Sequence, residues 1–158
     1  MPVALIIKLN NFFENLQKNK IKFLKNHFEF IHSIESVEQI QVLNQKCEQL
    51  GLIQKIFLQV NLAEENSKSG WNQINLLTDW QKINDFSAVK VVGLMTMPPL
   101  ENEPEKNRTY FRQLAQISKK LKLQELSMGT SHDYKIALEE GATWVRLGTA
   151  LFGERSKK

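Results

Sequence analysis

The sequence predicts an α/β fold, a partial barrel of about five to six parallel strands, each followed by a helix. Three observations carry this. Short apolar runs alternate with amphipathic stretches at intervals of about 25 to 35 residues, the rhythm of strand–helix units whose strands lie parallel. One run, VKVVGLMTM (89–97), hardly alternates at all, as a strand buried on both faces should. Finally, 158 residues hold one domain with a substantial core but fall short of the ~250 usual for a closed eight-stranded barrel.

The first segment fits the scheme least well. PVALIIKL (2–9) reads as a strand and NNFFENLQKNKIKFLKN (10–26) as a helix. EFIHSI (29–34) follows as a strand. Residues 36–50 place Val37, Ile40, Leu43, Cys47 and Leu50 at helical spacing, with Ser36 as N-cap and Gly51 ending the segment. IQKIFLQVNL (53–62) is a strand with Ile56, Leu58 and Val60 on one face and Phe57 on the other.

After the polar loop AEENSKSG, the positions Ile74, Leu77, Trp80 and Ile83 mark an amphipathic helix. The strand 89–97 is stopped by Pro98 and Pro99. The longest helix spans 103–121, with Tyr110, Phe111, Leu114, Ile117 and Leu121 inward. ELSMG (125–129) is a strand, 132–140 a short helix closed by Gly141, and 143–147 the last strand. The chain divides into a divergent segment, 1–15, and a barrel domain, 16–158.

Composition excludes several classes. A single cysteine, Cys47, permits no internal disulfide and favours a reducing compartment. No run approaches the ~20 apolar residues of a membrane span, and MPVALIIKL lacks the marks of a secretory leader; the protein is expected in the cytoplasm. The net charge is +4 and the pI about 9.2, which suits an anionic ligand. Lys18, Lys20, Lys22 and Lys25 form the densest basic stretch, but no aromatic stacking platform accompanies it, so nucleic acid is not the expected partner. His27, His32 and His132 lack metal-ligand spacing, and neither a dinucleotide fingerprint nor a P-loop is present.

The last two strand ends carry the chemistry. SMGTSHD puts Gly129, Thr130 and Ser131 in a turn that feeds a helix, and RLGTALFG repeats the device with Gly148 and Thr149. Free backbone N–H groups, hydroxyls and close backbone approach at two neighbouring strand ends make a phosphate cup, the arrangement found after strands seven and eight of α/β barrels. Arg146 shares a strand face with Trp144 and Gly148. Its guanidinium offers donors to a ring nitrogen or a carboxylate. The neighbouring Ser131, His132 and Asp133 do not form a hydrolytic triad, because adjacent residues point in different directions.

LQKNKIK, VNLAEENSKSG, GLMTM and LSMGTSHDYKIALEEGATWVRLGTALFG occur in order and at about the separations found in the YggS/PROSC-type pyridoxal phosphate homeostasis proteins. That family is similar to the N-terminal barrel of alanine racemases, and the resemblance runs from about Leu16 to the C-terminus. It implies a partial TIM-type (β/α) barrel that binds pyridoxal 5′-phosphate (PLP) and buffers its supply without a defined catalytic turnover. By resemblance, Arg146 faces the pyridine nitrogen, Ser131, Gly148 and Thr149 hold the phosphate, and Ser127 and Met128 line the strand end nearby. Asn61 and Lys68 match the family's pattern without an assigned role. An arginine at the ring nitrogen disfavours a proton there, since two cations would then face each other, and so weakens the ring as an electron sink.

The sequence also departs from the family. The family's barrel opens with a strand carrying the lysine that forms the imine with the cofactor, then a GEN strand, then an HFIG strand. None stands here intact; NNFFEN (10–15) occupies the place of the third. The resemblance therefore predicts a barrel whose first strands are missing, without that lysine, and Lys8 is not expected to replace it. Affinity should be weaker than in intact relatives. Two long apolar sheet edges would be left open to self-association.

Overall fold

The computed structural model describes residues 11–12, 28–65, 68–100 and 103–153. Its strands are β1 (Asn11–Phe12), β2 (Phe30–Ile34), β3 (Gln54–Gln59), β4 (Val89–Met95), β5 (Glu125–Thr130) and β6 (Trp144–Arg146). They form one sheet in sequence order, and every neighbouring pair is parallel. The helices are α1 (Val37–Leu50), α2 (Gln73–Asn84), α3 (Arg108–Lys120), α4 (Tyr134–Glu139) and α5 (Thr149–Phe152). This is the expected partial barrel.

The five strands expected from residue 29 onward are all present. Before them, β1 lies in NNFFEN and pairs with β2, so the helix expected from residue 10 does not begin there. The expected strand 2–9, Lys8 and the lysines at 18–25 lie outside the described residues. The described sheet is bounded by β1 on one side and by the three-residue β6 on the other.

Strand parity separates two faces. On the helix side, Ile31, Ile34, Ile56, Leu58, Leu94, Leu126 and Met128 pack with Ile40, Leu43, Leu76, Phe111, Leu114 and Ala137 of the helices. The other face gathers Phe30, Phe57, Met95, Val92 and Trp144. Register shifts in β2 and beside Val92 in β4 explain why Ile31 and Ile34, three apart, both reach the helix side.

Local signals explain the helix ends. The Ser36 hydroxyl accepts from the Gln39 amide at 3.2 Å, and Gly51 closes α1 at φ 63°. Leu50 is 37% exposed and drops out of the inward face. In α2 Leu76 and Ile83 are buried and Trp80 packs partly buried beside them, while Ile74 is 75% and Leu77 41% exposed. The i+3 row is the reason: at 3.6 residues per turn it drifts about 60° per step, so three steps take it to the opposite side. Residues 104–107 form a 3-10 turn ahead of α3, delaying the expected helix; Tyr110 and Leu121 are only half-buried.

Two features fix α4 beneath the last strands. Gly129 lies at φ 91°, and a Cβ there would come within 2.6 Å of the Ala137 Cβ, so only glycine lets α4 settle this close to β5. Across the surface, Arg108 pairs with Glu105, Glu139 and Glu140, and Arg112 with Glu140, joining α3 to α4. These arginines hold the Glu140 carboxyl below its ordinary range.

Candidate functional site

Because all the strands run one way, their carboxyl ends share one rim, where ligands of parallel sheets bind. The rim above β5 and β6 joins two loops. The Ser131 hydroxyl accepts from the Gly148 amide at 3.0 Å and from the Ala150 amide at 3.1 Å. A serine oxygen has two lone pairs and one hydrogen. Both lone pairs are engaged, and the O–H remains as a donor to any acceptor above the rim. A Cβ built on Gly148 would meet nothing within 4 Å, and Thr149 is exposed beside it.

The turn under Ser131 is rigidly braced. β5 extends through Gly129 and Thr130, so the turn occupies 131–133 rather than 129–131. Asp133 is buried; its Oδ1 accepts from the Thr130 amide at 2.7 Å and hydroxyl at 3.0 Å, and its Oδ2 accepts from Asn107 Nδ2 at 2.7 Å. His132 is exposed. Ser131 and Asp133 thus engage different partners, as neighbouring residues that point apart should.

Below the rim lies Arg146, on the inner face as alternation requires. Its Nη1 donates to the Ser127 carbonyl at 3.2 Å and the Ser127 hydroxyl at 2.9 Å, and its Nη2 donates to the Thr96 carbonyl at 2.8 Å. Nε is buried and meets no acceptor among the described residues. Burial holds the guanidinium down to about 10, with the Asp133 carboxylate acting in the opposite sense, so it remains a cation at neutral pH.

Ser127 also meets His32 Nδ1 at 3.0 Å. His32 is fully buried and stacks on Phe57, with ring centroids 4.1 Å apart, while Trp144 meets its ring edgewise at 5.3 Å. Burial, and then the Arg146 charge, push the imidazole down to about 3, so it is neutral.

The structure thus brings together Ser131, Gly148 and Thr149 at the rim, and Ser127 and Arg146 beneath it. Met128 is different: its side chain packs into the helix-side core with Leu126, on the opposite face from Ser127, so only its backbone belongs to the strand end. Asn61 ties its own loop together, donating to the Glu65 and Lys68 carbonyls at 2.9 and 2.8 Å. Lys68 pairs with Glu65 at 2.6 Å and donates to the Met97 carbonyl at 3.3 Å. Sequence reasoning missed His32, Thr96 and Asp133. For His32 a signal existed, since a polar residue at an inner position of a doubly buried strand demands a partner; Thr96 acts through its carbonyl and leaves none.

Residues 8–156 match the model of the alanine racemase N-terminal domain. The chain belongs to this family. It is 38% identical over 151 residues to the pyridoxal phosphate homeostasis protein of Aquifex aeolicus, covering 92% of this chain and 66% of that protein. PipY of Synechococcus elongatus PCC7942, solved with PLP bound, superposes with a TM-score of 0.84 at 33% identity, over 90% of this chain and 69% of PipY. An alanine racemase from Clostridium difficile 630 shares the fold, with a TM-score of 0.71 at 16% identity, over 96% of this chain and 43% of the racemase. The family member thus spans about two thirds of the length of the curated relatives it matches. Among the described residues no helix is long and apolar enough to cross a membrane.

Proposed function

We propose that the chain binds pyridoxal 5′-phosphate reversibly at the β5–β6 rim and serves as a carrier rather than as a catalyst. The observation that carries this reading is the Ser131 oxygen 3.0 Å from the Gly148 amide, which draws two strand-end loops into one seat beside a buried guanidinium. The residues fit the group. The Ser131 O–H, the Thr149 hydroxyl and the open backbone at Gly148 suit the phosphate, and the unengaged Nε of Arg146 suits an acceptor such as a pyridine nitrogen. When bound, the cofactor supplies an aldehyde and an electron-withdrawing ring.

Arg146 biases that ring toward storage. A permanent cation beside the ring nitrogen disfavours its protonation, and the neutral imidazole of His32 offers no compensating negative charge. PipY, similar to this chain and solved with PLP bound, supports the same assignment.

Titration with PLP, followed by quenching of tryptophan fluorescence, tests the reading. Saturable binding is expected, with inorganic phosphate competing. Arg146→Ala should weaken PLP but leave phosphate alone unaffected. Absence of saturable binding would overturn the proposal, and turnover of an amino acid would replace the carrier with an enzyme.

A further inference from the structure

Resting on that reading of Arg146, we propose that His32 is a positioning residue: it accepts the Ser127 hydroxyl proton at Nδ1, and so turns a Ser127 lone pair toward Arg146 and fixes the guanidinium beneath the rim.

The argument is one of satisfiable hydrogen bonds. Arginine only donates, so the 2.9 Å contact between Arg146 Nη1 and Ser127 Oγ takes a serine lone pair. The remaining Ser127 contact is His32 Nδ1 at 3.0 Å. Were Nδ1 protonated, the serine oxygen would accept from both sides, and its own hydrogen would be buried without an acceptor, a costly state. With Nδ1 as acceptor the Ser127 hydrogen and the Arg146 Nη1 contact are both satisfied, and the proton of the neutral imidazole sits on Nε2. Each bond polarises the next in the same sense, from His32 through Ser127 to Arg146.

His32 can do this because it is held rigidly. It is fully buried, stacked on Phe57 at an interplanar angle of 12°, and flanked edgewise by Trp144. Ser127 in turn contributes both its hydroxyl and its carbonyl to the same Arg146 nitrogen. Two strands distant in sequence, β2 and β5, therefore fix the one cation of β6 that faces the ring.

The relay is tested without ligand by nitrogen NMR of the wild-type chain. Nε2 should carry the imidazole proton at neutral pH; a proton on Nδ1 overturns the relay. With ligand, His32→Phe keeps the stacked ring but removes the acceptor, and His32→Asn keeps an acceptor oxygen near Nδ1. His32→Phe should weaken PLP about tenfold, the scale of a hydrogen bond to a charged group, while His32→Asn restores most of it and inorganic phosphate binding is unchanged. Added to Arg146→Ala, His32→Phe should cause no further loss; additive losses, or His32→Asn as weak as His32→Phe, overturn the positioning role. Should His32→Phe fail to fold, Ser127→Ala breaks the same link and should show the same lack of additivity. If Arg146→Ala binds PLP like the wild type, the cofactor reading fails, and the NMR result still decides the relay separately.

Discussion

Ser131 and Gly148, seventeen residues apart, are joined by a 3.0 Å hydrogen bond in which the serine oxygen accepts the glycine amide. The bond is the hinge pin between the turn after β5 and the turn after β6. It joins the two loops into a single seat.

Ser131→Ala should therefore weaken PLP and inorganic phosphate together, each by about ten- to a hundredfold, because a hydrogen bond to a charged group is worth roughly 1.5–3 kcal/mol. Competitive fluorescence titration distinguishes this from Arg146→Ala, which should affect PLP alone. Equal affinities in Ser131→Ala and the wild type would remove the phosphate from this rim.

Asp133 belongs to the fold rather than to the ligand. Asp133→Ala strands the Thr130 amide, the Thr130 hydroxyl and one Asn107 N–H. A loss of about 2–4 kcal/mol in urea unfolding is expected. An unchanged midpoint would mean that water replaces the carboxylate without cost.

Gly129→Ala combines a positive φ with a Cβ driven to 2.6 Å from Ala137. Backbone strain and overpacking each contribute about 1–3 kcal/mol. Thermal unfolding should show a marked drop, whereas Gly148→Ala, with open space around its Cβ, should melt near the wild type.

Stability should fall in acid through His32. Its folded value of about 3 lies below the ordinary 6.5, so the unfolded chain takes up a proton that the folded one refuses. The contribution is whole above about 6.5 and is lost as pH falls through the window down to about 3, at roughly 1.4 kcal/mol per unit. Urea midpoints at neutral pH and at pH 5 should separate more for the wild type than for His32→Phe. Parallel pH dependence in the two proteins would show that His32 is protonated when folded.

Much of the fold was legible because the strands are two-faced and apolar, and because Ser36 and Gly51 punctuate α1 in the ordinary way. The α2 face was misread since Ile74, Leu77, Trp80 and Ile83 are evenly spaced in sequence but spiral around the helix. At the site, the closeness of the turn at Gly129–Ser131 to the turn at Gly148–Thr149, and the strand face of Arg146, followed from turn chemistry and alternation. His32 was not anticipated, because its partner lies 95 residues away, and no local pattern encodes which distant strand will present a hydroxyl. Met128 was placed with Ser127 by proximity, although parity sends neighbours to opposite faces.

The order of the strands has a consequence for biosynthesis. With each strand laid beside its predecessor, the growing sheet can add one unit at a time as the ribosome releases it. The rim above β5 and β6 cannot be assembled so gradually: His32 waits for Ser127, 95 residues further on, and Ser131 waits for the Gly148 and Ala150 amides. Its parts are therefore made early and joined only once β6 has been added to the sheet.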